Sequence, residues 1–220
     1  VFVLLGIGVL GGAWNAVAGG ATLFTFPALM AAGLPPLVAN ATNYVALLPS
    51  NAAALPAYGP ELRKVGRALW PLVIVSGLGA ILGSVLLLVS DPGVFERLIP
   101  LLILTATALF AFGDAIRAKL LGIAGGTRTD AAVYLGLFIA SIYGGYFGAG
   151  LGIILLAVAQ VMGYSDYHVA NAIKNLLATS FSILSIVVFG VGGLLAWPQA
   201  FAMMAGSTVG GYLGGSLANH

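Results

Sequence analysis

The chain of 220 residues is 60% hydrophobic and 6% charged, with 8 Lys or Arg, 6 Asp or Glu and no Cys. A soluble domain carries roughly 25% charged residues, so most of this surface does not face water and the composition reads as an all-α polytopic membrane protein. Without cysteine there is no disulfide framework or thiolate metal site, and without a basic face or recognition motif there is no case for nucleic acid.

Uncharged stretches run from Val1 to Pro60, from Ala131 to Ser165 and from Asn175 to the end, long enough to cover about 30 Å of hydrocarbon. The first predicted helix, 1–18, opens with neither Met nor charge, so the chain is expected to begin inside it. It lacks the basic start and cleavage-like end of a signal peptide. Gly19-Gly20 closes it, and the next block, 20–33, is short: at 1.5 Å per residue it reaches about 21 Å, too little for an ordinary span. "GLPP" leads into a helix at 37–57. A basic loop at 58–68 follows, holding Arg63, Lys64 and Arg67. Helices at 69–89 and 93–113 are joined by the solvated turn "SDPG", with Asp91, Glu96 and Arg97 near it, and Trp70 reads as an interfacial anchor. The linker 114–130 is basic again, with Arg117, Lys119 and Arg128. Both basic loops flank the same helix pair, so they share one face, cytoplasmic by the positive-inside rule. The second half runs through 131–147, the Gly-rich bend "GGYFGAGLG", a second short block at 150–163, "GYSDYH", 167–191, "GVGG" and 197–218, with Trp197 as the counterpart anchor.

An internal repeat organises these blocks. "GLPPLVANATN" aligns with "GYSDYHVANAIKN", the shared Ala-Asn-Ala falling at 39–41 and 170–172, and "GAILGS" (79–84) aligns with "GGYLGG" (210–215) at the same offset of 131. The reading is a first transmembrane repeat at 1–113, a cytoplasmic linker at 114–130 and a second repeat at 131–220, with the Gly-interrupted short helices forming hairpins. The loop at 190–196 is uncharged where its mate at 58–68 is basic, which favours inverted halves; parallel halves with one broken crossing are the alternative. The first half ends with a helix whose counterpart would begin at His220. A last hydrophobic helix of about 20 residues is therefore expected in the native protein.

Broken helices are tolerated at membrane depth only where backbone is buried or lines a cavity, and paired Gly-interrupted segments point to transporter binding sites. The candidates are Gly19 and Gly20 in the first half and Gly150 and Gly152 in the second. Each break starts a half-helix whose free N–H groups suit an anion. Gly6, Gly8, Gly77, Gly79, Gly83, Gly206, Gly210 and Gly214 read instead as close helix packing.

Lys174 is the second pointer, because an ionised lysine near the bilayer centre costs about 2.5–3.5 kcal/mol on insertion scales and needs a partner or a wet cavity. Asn171 and Asn175 flank it, and with Ser182 they predict a polar stripe on an oily helix. The mate offers Asn40, Thr42 and Asn43, with no cation. Two further readings stand beside this one: Lys174 snorkels to the interface or pairs with Asp166, and the amides serve as interhelical glue. Asn15 and Gln160 either line the site or bond within the core. Asp166 is an ordinary helix-start residue, and a proton-shuttling role for His168 is the weaker option. No zinc, nucleotide or nucleophile-elbow motif is present, so no enzyme, cofactor or metal is expected.

"VAGGATLFTFPALMAAGLPPLVANATN" and "FGAGLGIILLAVAQVMGYSDYHVANAIKNLLATSFSILS" resemble the two copies of the signature of the sulfite exporter TauE/SafE family, across essentially the whole chain. The resemblance implies a bacterial or archaeal inner-membrane carrier of sulfite, sulfoacetate or a related sulfur anion, often acting outward. Its characteristic stretches map onto Gly19, Gly20, Pro27, Asn40, Thr42 and Asn43, and onto Gly150, Gly152, Asn171, Lys174 and Asn175. Second copies often read Ala-x-Gly-Thr where this chain has "ANAIKN", so Ile173 replaces a hydroxyl. The expectation is a secondary exporter of a small sulfur oxyanion, with a passive anion channel and a non-transporting scaffold subunit as rivals. The partners considered are the sulfur-containing anion, the lipid bilayer, a coupling proton or sodium ion, and a second copy of the chain as homo-oligomer.

Overall fold

A computed structural model describes residues 2–17, 20–56, 58–113, 115, 118–119 and 130–218. The elements are α1 (Phe2–Val17), α2 (Thr22–Ala31), α3 (Pro36–Ala52), α4 (Gly59–Val65), α5 (Leu69–Leu88), α6 (Pro92–Ala111), α7 (Asp130–Tyr146), α8 (Leu151–Val161), α9 (Tyr167–Val191) and α10 (Trp197–Ala218), with no strand among the described residues. Three runs are long and apolar enough to cross a membrane: 59–88, Pro92–Ala111 and Tyr167–Val191. The blocks expected to be short are short. α2 has 10 residues and α8 has 11, so each extends about 15–17 Å, near half the hydrocarbon thickness.

The stretch 59–68, expected as a loop from 58 onward, is helical, α4 continuing into one 3-10 turn at Gly66–Ala68. Pro60 stands in the first turn of α4 with Glu61, and Arg63 and Lys64 occupy the last turn. Proline at a helix start supplies the right φ, and these charges complement the helix dipole at both ends. Both half-helices end alike. After α2 the Gly33 N–H donates to Met30 and the Leu34 N–H to Leu29; after α8 the Gly163 N–H donates to Gln160 and the Tyr164 N–H to Ala159. Gly33 (φ 93°) and Gly163 (φ 95°) carry the left-handed conformation this cap needs.

Small residues set the packing. α1 lies against α10 with Gly8 beside Met203 and Gly12 beside Ser207, so the two run in the same direction. α5 and α7 do likewise, Gly79 meeting Phe138 and Ser141, and Gly83 meeting Ile142. α3 runs with α1, since Gly11 nears Leu47 and the Asn15 amide donates to Ser50. α9 runs with α5, since Gly77 meets Leu184 and Leu88 meets Gly192. α3 and α9 run oppositely: Thr42 pairs with Ala196, beyond the end of α9, while Tyr58 pairs with Asn171 near its start. Exchanging α1 with α7, α2 with α8, α3 with α9 and α5 with α10 leaves the pattern of close neighbours among these eight helices unchanged.

The buried interior lies between α3 and α9. Phe26 and Phe147 meet edge to face at 5.4 Å, and Tyr44 lies 5.4 Å from Phe189 and 6.4 Å from Phe181 by ring centroid. These aromatic contacts fix the spacing around the polar groups described next. Ile74, Leu78, Leu101, Leu104, Leu135 and Ile139 point outward from α5, α6 and α7, as a surface solvated by lipid requires. Trp70 and Trp197 are likewise outward-facing at helix starts.

Candidate anion site

Lys174 stands just over two turns into α9, whose start is capped by Asp166: its carboxylate accepts from the His168 N–H at 2.8 Å and the Val169 N–H at 3.3 Å. The carboxylate is therefore engaged at the helix end, and Lys174 does not pair with it. Lys174 is 3% exposed and is the only formally charged member of the buried set among the described residues. An unpaired buried charge costs several kcal/mol, and a lysine that snorkelled would keep its ammonium in contact with the interface. It lines a cavity of about 60 Å³ instead.

Other helices reach that cavity. From α3 come Asn43, Leu47 and Asn51 and from α1 comes Asn15, while α9 itself adds Ala178 and Ser182 one and two turns beyond Lys174. The Asn15 amide is held by Ser50 at 2.8 Å and Asn51 at 3.2 Å, and Asn43 donates to Thr22 at 3.1 Å. The two helix breaks meet here as well, because Gly20 and Thr22 at the start of α2, and Gly148, Leu151 and Gly152 at the start of α8, all line it. Neither start has a side-chain cap, so two helix N-termini, each with the partial positive charge of its first-turn N–H groups, open on one small volume beside an ammonium. Gly20 (φ 91°), Gly148 (φ 76°) and Gly150 (φ 75°) are left-handed. A Cβ on Gly148 would stand 2.7 Å from the Tyr44 hydroxyl, which itself donates to the Gly144 carbonyl. Glycine is the residue that tolerates this turn.

Of the residues singled out in the sequence, Asn15, Gly20, Asn43, Gly152, Lys174 and Ser182 line the cavity. Gly19 lies outside the described residues. Gly150 is not among the lining residues and packs near Ala106 and Leu109 of α6. Asn40 donates to the Tyr146 carbonyl at 2.9 Å and ties α3 to the end of α7. The Thr42 hydroxyl accepts from the Ala196 N–H at 3.0 Å, and Asn171 donates to the Tyr58 hydroxyl at 2.7 Å. Asn175 is fully buried with both amide atoms unpartnered, away from the cavity. The single polar stripe expected on α9 is thus two. Lys174, Ala178 and Ser182, spaced by four, face the cavity, while Asn171, Asn175 and Thr179 follow an adjacent face, one residue being about 100° of helix rotation. Gln160 is buried in α8 and His168 is exposed at the start of α9; neither lines the cavity.

Thr22, Tyr44 and Asn51 were not anticipated as lining residues. For Asn51 a signal existed. At the repeat offset of 131, Asn43, Leu47 and Asn51 correspond to Lys174, Ala178 and Ser182, and all six line the cavity.

A "Probable membrane transporter protein" of Haemophilus influenzae is 32% identical over 224 residues, covering 98% of this chain and 84% of that protein. "Probable membrane transporter protein YfcA" of Escherichia coli K12 is 27% identical, covering 98% and 79%, and "Probable membrane transporter protein ORF9" of a Sinorhizobium species is 26% identical, covering 93% and 77%. No solved structure matches the chain. The model of the family described as "Sulfite exporter TauE/SafE" matches residues 4–220. By that match across nearly its whole length, the chain belongs to the sulfite exporter TauE/SafE family of membrane transporters.

Proposed function

We propose that this protein is a secondary transporter, working as an exporter in the cytoplasmic membrane, for a small sulfur oxyanion of the sulfite type. The observation that carries the reading is a buried ammonium with no carboxylate among its buried neighbours, facing a cavity on which two uncapped helix N-termini also open. An anion there would offset the cost of burying the Lys174 charge and would accept hydrogen bonds from the first-turn N–H groups. Asn43, Asn51 and Ser182 would supply neutral polar contacts. The size of the cavity favours a compact ligand. At roughly 10–15 Å³ for one water-sized group, about 60 Å³ suits sulfite, with three oxygens around one sulfur, better than an extended organosulfonate.

Alternating access would come from rocking of two inverted halves, 1–113 and 131–220, about this site, with 114–130 as a cytoplasmic linker. The opposite directions of α3 and α9, and the exchangeable neighbour pattern of the helices, support that reading. The test is sulfite flux in proteoliposomes. Lys174→Ala is expected to cut flux at least about a hundredfold, the loss of an interaction worth roughly 2.7 kcal/mol, while the protein remains monodisperse. Wild-type flux in that variant would overturn the site, and counterflow of labelled sulfite separates a carrier from a channel.

A further inference from the structure

We infer that positions 43 and 174 form one charge-selecting pair, and that the substrate this site takes is an oxyanion of single negative charge, hydrogensulfite rather than the sulfite dianion. This rests on the transport reading above and adds to it the charge state of the ligand and the residue that sets it.

The two copies "VANATN" and "VANAIK" put Asn43 and Lys174 at equivalent places, 131 residues apart. Both side chains line the same cavity, and the pairs Leu47 with Ala178 and Asn51 with Ser182 line it one and two turns further on. When equivalent positions of two halves look into one volume, the relation between the halves passes through that volume. What stands at 174 on one wall is therefore mirrored by what stands at 43 on the other. Here one wall carries a cation and the other a neutral amide.

The charge inventory then decides the ligand. Among the described residues the buried set contains Lys174 and no Asp, Glu, Arg or His. One formal positive charge neutralises one negative charge. The helix N-termini of α2 and α8 together amount to about one further positive charge, but as dipole ends each stabilises a nearby anion by less than a second buried negative charge costs. A doubly charged anion would bring one negative charge too many into the bilayer interior. The amide of Asn43, already donating to Thr22, contributes polarity without correcting that excess. A lysine at 43 would correct it.

The test uses the full-length protein, purified in detergent, with equilibrium binding measured for methanesulfonate and hydrogensulfite as single-charge probes and for sulfate and thiosulfate as double-charge probes. Methanesulfonate and sulfate have the same number of heavy atoms, so the comparison isolates charge. Wild type is expected to bind the singly charged probes at least about tenfold more tightly. Asn43→Lys is expected to move the preference toward sulfate and thiosulfate by a similar factor. The exchange variant Asn43→Lys/Lys174→Asn, which carries the cation on the opposite wall, is expected to restore the single-charge preference that Lys174→Asn alone abolishes. Preference of wild type for the double-charge probes, or an exchange variant that binds none of the four, would overturn the inference while leaving a transporter in place. Should Asn43→Lys fail to fold, the exchange variant and the wild-type preference still decide it. Wild type binding no oxyanion at all would remove the transport reading itself, and this inference with it.

Discussion

Asn171 and Lys174 are separated by one helical turn yet do different work. The lysine faces the cavity; the asparagine donates to the Tyr58 hydroxyl and fastens α9 to the segment between α3 and α4. A buried hydrogen bond of this kind contributes about 1 kcal/mol net, with more lost when one partner stays buried and unpaired. Asn171→Ala and Tyr58→Phe are each expected to lower thermal stability in detergent by an amount of that order, and the double variant by little more than either alone. Additive losses in such a cycle would mean that the two groups act independently. Asn175 is a contrast: it is as deeply buried, both its amide atoms lack a protein partner, and the structure offers no physical account of why it is polar.

At the scale of elements, the contact between α1 and α10 depends on glycine. A Cβ on Gly210 would overlap the Val9 carbonyl oxygen, and one on Gly12 would overlap the Ser207 carbonyl oxygen, whereas one on Gly6 would meet nothing within 4 Å. Without a hydrophobic drive between helices in lipid, close backbone approach is a main source of their association. Gly210→Ala is therefore expected to destabilise the protein by roughly 1–3 kcal/mol, the usual range for overpacking. Gly6→Ala is expected to be neutral or slightly stabilising, because alanine is the better helix former by about 1 kcal/mol. Thermal unfolding of the two variants side by side checks this, and equal effects would show that helix propensity rather than packing dominates.

At the scale of the whole molecule, the directions of the helices predict sidedness. Leu88 against Gly192 brings the turns after α5 and α9 to one end, while Arg67 lies at the other end of α5. The chain has no cysteine, so each introduced thiol is unique. Arg67→Cys is expected to react with an impermeant maleimide from the cytoplasmic side, and Val89→Cys and Val191→Cys from the opposite side. Reaction of residues 67 and 191 from the same side would contradict the inverted arrangement.

Much of this could be read along the chain because its causes are local. The scarcity of charge, the length of each apolar run and the positions of Gly and Pro are properties of a segment and its solvent, and they placed the membrane helices and the two short blocks. The sequence also marked Lys174 as exceptional, since an ammonium in an oily helix stands out without any knowledge of its neighbours. The direction each side chain faces is a tertiary property. Asn171, Lys174 and Asn175 are adjacent in sequence, but rotation along α9 sends the lysine to the cavity, one amide to Tyr58 and the other into the packed interior. Asn40 and Thr42 look like ligand donors until the end of α7 takes the Asn40 amide N–H and the turn before α10 takes the Thr42 hydroxyl. Sequence alone determined that there are two breaks and one cation within an apolar helix; only the packing of α3 against α9 decided that the cation is buried and that they meet, because convergence of distant polar groups depends on which helix faces oppose one another.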